Sequence, residues 1–151
     1  MTKHKKPKAT HTQHQNPPVS SSQSFNQTTT KSEKTMAPGF QAYSLDKYAH
    51  DLVFARKGQD NEVLNQAHKM RSMVAFGLER FWGEQQRLDG VKASYWRDTW
   101  SKLTTILKSA GITLPNTVDQ LWTFDQEDRK IAIAVLSELC DCMIWWTQRY
   151  K

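Results

Sequence analysis

The sequence predicts an all-α protein, a compact bundle of about four to five helices that follows a disordered N-terminal tail. From about residue 44 onward, apolar residues recur at three- and four-residue steps, which is the period of one helical face. Candidate capping residues and glycines divide this region into segments of helical length. No segment alternates between apolar and polar residues for long enough to predict a strand.

Residues 1–40 are predicted to form a disordered, basic and polar tail, and residues 41–151 the helical domain. The tail is rich in Ser, Thr, Gln, Asn, Lys and Pro, so it cannot bury enough apolar surface to offset the entropy cost of ordering it. Its basic start is followed by no apolar run, which argues against a secretory signal. No stretch of about 20 apolar residues predicts a membrane span, and we expect a cytoplasmic protein.

Caps and glycines set the predicted helix boundaries. The predicted segments are about 44–56, 61–88, 92–110, a short turn over 116–122, and 126–150. Asp60 and Asp125 are candidate N-caps, and Gly58 and Gly111 are candidate stops. The second segment is predicted as one helix with Gly77 on its buried face, where a missing side chain would let another helix approach closely. Gly83 is the alternative, as a glycine that could break this helix early.

The last predicted helix is apolar around most of its circumference. One inward face is predicted from Ile131, Ala132, Val135, Leu139, Cys142, Met143 and Trp146. Ile133, Ile144 and Trp145 lie outside that face, and we expect them to form a partner interface. Such a helix is either central in the bundle or half covered by another molecule. Trp145 is the best candidate for an interface anchor, because its neighbour Trp146 takes the inward direction.

The positive charge of the chain belongs mainly to the tail. The whole chain carries a formal net charge of +6. Residues 1–40 hold six lysines and one glutamate, a net of +5, which leaves +1 for residues 41–151. A nearly neutral domain binds a polyanion only through a local strip of charge.

The predicted second helix carries such a strip, with cations around one aromatic ring. At 100° per residue the strip consists of Lys69, Phe76, Arg80 and Arg87. Cations beside an exposed ring can contact phosphates while the ring stacks on a base or sugar. The third helix carries a smaller strip with Arg97 and Lys108, and the hydroxyls of Ser101 and Thr104 lie nearby. A solvated surface of mixed charge is the alternative interpretation, because Glu62 and Glu84 lie close to the first strip.

No set of residues predicts catalysis, a cofactor or a metal site. Phosphate-loop, dinucleotide-binding, zinc-protease and serine-hydrolase motifs are absent from the sequence. His50 and His68 are candidate general bases, but neither has a nucleophile adjacent in sequence. Cys140 and Cys142 are two apart on a helix, so we expect packed, reduced thiols. The tail histidines, His4, His11 and His14, lack the spacing of a metal site.

Two segments resemble the small helical subunit of type III CRISPR effector complexes. Residues 138–149 read ELCDCMIWWTQR and resemble the terminal helix of that family, in which a Glu often opens an apolar run that closes with a tryptophan and basic residues. Residues 73–82 read MVAFGLERFW and resemble its glycine–leucine helix. The resemblance covers residues 44–151 and includes the all-helical pattern.

The resemblance implies a non-enzymatic subunit of a ribonucleoprotein complex. Its copies would stack beside the guide–target duplex or the target strand, with basic helix faces on the RNA backbone. Its apolar faces would contact other effector subunits and further copies of itself. A protein-only adaptor that binds through Ile144 and Trp145 is the alternative, and a small helical enzyme that uses His50 or His68 ranks third.

Overall fold

The computed structural model describes residues 38–151, with side chains from Ser44 onward. The helices are α1 (Pro38–Phe54), α2 (Asn61–Leu64), α3 (Gln66–Met73), a 3-10 turn (Val74–Phe76), α4 (Leu78–Arg87), α5 (Gly90–Ser109), α6 (Val118–Trp122) and α7 (Gln126–Tyr150). No strand occurs among these residues, and the predicted all-α bundle is confirmed.

The first helix begins earlier than the sequence predicts. Residues 1–37, and with them most of the predicted tail, lie outside the described residues. Pro38 is the first residue of α1, whereas the tail was expected to run to residue 40 and the helix to begin at Ser44. Proline suits the first helical position, because its fixed φ matches the helix and its missing N–H would have no partner there.

α7 packs along α1 and also contacts α3 and α5. Its buried face consists of Ala132, Leu136, Leu139, Cys140, Met143 and Thr147. The predicted inward face was therefore partly wrong, since Ile131 keeps 46% of its surface exposed. Ile133 and Ile144, expected outside that face, are partly buried against the core. When a helix is apolar on all sides, the spacing of its apolar residues does not indicate which side is buried.

Polar contacts fix the ends of α7. Asp125 caps its N-terminus by accepting hydrogen bonds from two backbone N–H groups, each at 3.0 Å. Arg129 forms an ion pair with Glu79 of α4 at 2.5 Å and also donates to the carbonyl of Leu121 in α6. At the other end, Trp146 Nε1 donates to Asp46 Oδ1 of α1 at 3.0 Å. These contacts hold α7 against α1, α4 and α6.

A buried arginine joins the end of α1 to α5. Arg56 is almost fully buried, and its guanidinium donates to Asp98 Oδ2 at 2.5 Å. The guanidinium also lies 4.6 Å from the centroid of the Tyr95 ring, which contributes a cation–π contact. A buried cation must keep such partners, because losing one leaves a desolvated charge.

The predicted second helix is broken at Gly77. Gly77 has φ 100° and ψ 166°, a conformation that side-chain-bearing residues rarely adopt. The 3-10 turn ends before it and α4 starts after it. Gly77 was expected to permit a close helix approach, but it instead permits a change of chain direction. α4 then packs against α5.

The break at Gly77 predicts that substitution by alanine has opposite effects on stability at Gly77 and at Gly83. Gly77→Ala should lower the free energy of unfolding by about 1–3 kcal/mol because of backbone strain, and its Cβ would also meet Glu79 Oε2 at 3.1 Å. Gly83→Ala is the matched control. It lies inside α4 with nothing within 4 Å of an added Cβ, so it should stabilise the protein by up to about 1 kcal/mol. Urea denaturation measures both, and equal stability of the two variants would contradict the break.

The link between Arg56 and Asp98 predicts an unusual cost for changing a half-exposed carboxylate. Asp98→Ala leaves the buried guanidinium without its anion and should cost about 1–3 kcal/mol. Asp141→Ala is the control, because the Arg71–Asp141 pair is exposed on both sides and should cost less than about 1 kcal/mol. Thermal or urea unfolding compares the two, and a neutral Asp98→Ala would show that Arg56 does not need the pair.

Candidate nucleic-acid interface

The four residues of the first predicted strip do not share one helix face. Lys69 lies on α3, Phe76 ends the 3-10 turn, and Arg80 and Arg87 lie on α4 beyond Gly77. The expected single strip depended on an unbroken helix over 61–88, and that expectation was wrong. Only Arg80 and Arg87, which are seven residues apart, remain on one side of one helix.

Most of this first set already has partners within the protein. Arg87 donates to both carboxylate oxygens of Glu84, at 2.6 Å for the shortest contact, and Glu84 raises the pKa of Arg87. The Arg80 guanidinium lies 5.5 Å from the centroid of the Phe76 ring, which is 60% exposed. Lys69 is exposed and has no ion pair among the described residues. The set is therefore a surface of mixed charge and not a continuous cationic strip.

The smaller predicted strip lies intact on α5, and we call it the α5 strip. It consists of Arg97, Ser101, Thr104 and Lys108, at steps of four, three and four residues along one helical face. Arg97 and Lys108 are exposed and form no ion pair with any described residue. Their Cα atoms are separated by about 16 Å of helix axis, from the rise per residue. Within the described residues, the strip thus offers two cations without an ion-pair partner and the Ser101 hydroxyl between them. The Thr104 hydroxyl already donates to the Trp100 carbonyl at 2.9 Å.

A groove runs beside the α5 strip, between α4 and α5. Its volume is about 390 Å³. It is lined by Trp82, Gln85, Gln86, Arg97, Trp100, Ser101, Thr104 and Asn116. Arg97 is the one charged residue among the described residues of this lining, and it gives that part of the groove a positive charge. Its other polar groups are amides and hydroxyls, which can both donate and accept hydrogen bonds.

The groove residues of α4 were not predicted as functional. The sequence patterns assign no functional role to Trp82, Gln85 or Gln86. Their spacing does place Trp82 and Gln86 on one side of a helix, four residues apart. That this side faces α5 is a tertiary contact, which follows from the break at Gly77 and not from local periodicity. Asn116 comes from the connector before α6 and accepts a hydrogen bond from Trp82 Nε1 at 3.3 Å.

The exposed surface of α7 carries the predicted anchor. Trp145 is 48% exposed, and the Arg149 guanidinium lies 3.4 Å from its ring centroid. Trp146 packs edge-on against Trp145 with centroids 4.7 Å apart. Ile131 is exposed on the same helix, while Ile133 and Ile144 are half-buried. The interface expected from Ile133, Ile144 and Trp145 is therefore represented at the surface mainly by Trp145.

The two candidate catalytic histidines lie in separate surroundings. His50 Nε2 is 2.8 Å from Tyr150 Oη, and His50 Nδ1 is 3.2 Å from Asp51 Oδ1. Its ring also packs edge-on against Trp146, with centroids 4.6 Å apart. These contacts join α1 to the end of α7, so packing explains the placement of His50. His68 lies on α3 and is half-buried.

The cysteines are free and packed, as expected from their spacing. Cys140 is buried, and burial raises the pKa of its thiol to about 12. Cys142 is partly exposed, and its pKa is raised by partial burial and then by the nearby Asp46 carboxylate. Within residues 38–151 no cluster of three or more His, Cys, Asp or Glu side chains could hold a metal ion. His4, His11 and His14 lie outside the described residues.

One described helix, α7, is long and apolar enough to cross a membrane by length and composition alone. The core helix of a folded domain meets the same two criteria. The contacts of α7 with α1, α3 and α5 give its apolar composition a role in packing. The expectation that no segment spans a membrane stays a prediction.

Comparisons with protein-family models, with curated proteins and with solved structures find no match to this chain. The groove, the α5 strip and the surface of α7 are the features of the molecule that bear on its function.

Proposed function

We propose that the protein is a non-catalytic, RNA-associated subunit of a ribonucleoprotein complex, and that it contacts the RNA backbone through the α5 strip. The observation that carries this proposal is that Arg97 and Lys108 have no ion-pair partner among residues 38–151 and lie on one face of α5, with the Ser101 hydroxyl between them. Guanidinium, ammonium and hydroxyl groups are the side chains that bind phosphate and sugar oxygens.

The charge balance of the domain favours a local contact of this kind. Ion pairs neutralise seven of its cations, on the following residues: Lys47, Arg56, Arg71, Arg87, Lys92, Arg129 and Lys130. Lys57, Arg80, Lys102 and Arg149 lie over aromatic rings. Arg97 and Lys108 have neither kind of partner among the described residues, so they can bind phosphates without first losing an internal contact.

More specifically, we propose that the protein is a small helical subunit of a type III CRISPR effector complex. This proposal is supported by the resemblance of residues 73–82 and 138–149 to that family and by the all-α fold. The exposed Trp145 and Ile131 on α7 add a surface suited to a neighbouring subunit or a second copy. Because such a subunit would contact the RNA backbone and recognise RNA by its shape, its binding would show little sequence preference.

A protein-only adaptor is the second candidate, and the surface of α7 favours it specifically. Trp145 combines an exposed ring with the stacked guanidinium of Arg149. Tryptophan and arginine are the residue types most enriched where protein interfaces bind most strongly. In this case α7 would bind a partner protein and the α5 strip would remain a solvated surface.

The RNA proposal predicts a salt-dependent loss of affinity on changing the α5 strip. In the full chain, the double variant Arg97→Ala, Lys108→Ala should bind a single-stranded RNA about ten-fold more weakly at low salt. The slope of log affinity against log salt should fall by roughly 0.7 for each lost phosphate contact. Fluorescence anisotropy over a salt series measures both quantities.

Three control variants separate this proposal from its competitors. Arg87→Ala should leave the affinity nearly unchanged, because Arg87 is already paired with Glu84. Replacing the tail residues Lys3, Lys5, Lys6 and Lys8 by Ser removes nonspecific attraction without touching α5. If that variant loses RNA while the α5 variant keeps it, the α5 proposal is wrong. Under the RNA proposal, Trp145→Ala should leave RNA binding unchanged. Under the adaptor candidate, Trp145→Ala should abolish co-purification of a protein partner, and the α5 variant should have no effect.

A further inference from the structure

Gln85 is a buried polar residue whose side-chain amide has no partner in the described part of the protein. It lies on α4, is 8% exposed and lines the groove. No described residue forms a hydrogen bond with its amide, whereas buried Gln66 both donates and accepts one. In the part of the chain that the structure describes, the polar side-chain atoms that are fully enclosed without a partner belong to Tyr95, Trp100 and Arg129. The Gln85 amide is therefore not fully enclosed, and Gln85 lines the groove.

A largely buried amide in the wall of a groove is suited to a ligand with both donors and acceptors. The amide offers two N–H donors and one carbonyl acceptor in a single plane. Water can hydrogen-bond to the amide in the free protein, and a ligand with matching donors and acceptors would displace that water without leaving the amide unpartnered. The edge of a nucleobase presents the same alternation of donors and acceptors in a plane.

The walls of the groove suit a flat aromatic ligand. Trp82 is partly buried, and its hydrogen bond to Asn116 Oδ1 restricts how the indole can rotate. Trp100 is 4% exposed and supplies a second indole to the lining. The volume of about 390 Å³ lies within the usual range for small-ligand sites. Aromatic side chains stack on any base, because every base has a π-face.

We propose that the groove between α4 and α5 binds one unpaired nucleobase of an RNA strand, stacked on Trp82 with its edge hydrogen-bonded to Gln85. The inference rests on the proposed function, because the α5 strip holds the backbone of the same strand. Arg97 and Ser101 belong to both the strip and the groove lining, so they lie where a base and its phosphate would join. Lys108 continues the strip along α5 and contacts the phosphates of neighbouring nucleotides.

The site selects single-stranded RNA over a duplex. Bases within a duplex are stacked and paired, so neither their faces nor their edges can reach Trp82 and Gln85. An unpaired base can leave the strand and enter the groove without that cost. A free nucleoside monophosphate has the same base chemistry, but it lacks the neighbouring phosphates that reach Lys108.

The test compares two RNA oligomers of equal length and charge with the full chain. One is an ordinary single-stranded oligomer, and the other carries abasic sites, so the phosphates are the same and the bases are missing. The intact oligomer should bind at least about five-fold more tightly, which is the smallest effect expected for one base stacked on an aromatic ring. Tail lysines contribute equally to both oligomers, because they contact phosphates.

Variants then assign the difference to the groove. Gln85→Leu keeps a similar volume but removes the amide, and it should reduce the preference for the intact oligomer. Gln86→Leu, at an exposed residue of the same groove, is the matched control and should reduce it less. Circular dichroism and the affinity for the abasic oligomer show whether each variant is folded. If Gln85→Leu does not fold, Trp82→Leu provides the same test by removing the stacking surface.

Each outcome decides a separate part of the proposal. Equal affinity of the wild-type chain for both oligomers would overturn the base site and leave the backbone contact standing. Failure to bind either oligomer at low salt would overturn the proposed function itself. If a nucleoside monophosphate binds as tightly as the oligomer, the ligand of the groove is a free nucleotide and not an RNA strand, which contradicts the proposal. Loss of the preference in Gln85→Leu, with abasic affinity unchanged, supports it.

Discussion

The backbone conformation of Gly77 is the constraint on which the candidate site depends. A residue at φ 100° and ψ 166° ends one helical run and lets the next begin in a new direction. An unbroken helix would have kept α4 in line with α3, away from its packing against α5. The groove would then lack one wall, because Trp82, Gln85 and Gln86 all follow the break. One glycine therefore determines both where the chain turns and which side chains face the α5 strip.

Much of the fold follows from local patterns in the sequence. The helical period predicted the all-α class, and caps such as Asp60 and Asp125 form the hydrogen bonds expected of them. The break at Gly77 was not predictable from the local sequence, because a glycine within a helical pattern is compatible with either close packing or a break. The face of α7 was also ambiguous, since its apolar residues surround the helix and only contacts with α1, α3 and α5 choose a direction.

The residues proposed to contact the RNA backbone were predictable from the sequence. Arg97 and Lys108 lie on one face of α5 because they belong to one unbroken helix, and spacing alone gives that result. The strip with Phe76 and Arg80 was predicted wrongly, because helical spacing does not continue across the break at Gly77. Gln85 could not have been found from the sequence, since its significance comes from burial without a partner, and burial depends on how α4 packs. Local periodicity thus predicts charges along one helix but not a groove between two helices.

We propose that RNA binds along α5 and in the groove beside it. The most direct test is photo-crosslinking of the full chain to a single-stranded RNA that carries 5-iodouridine, followed by mass spectrometry of the crosslinked peptides. The account predicts crosslinks at Trp82 and within residues 97–108, which disappear at high salt. Crosslinks confined to residues 1–37, or to the surface around Phe76 and Arg80, would contradict it.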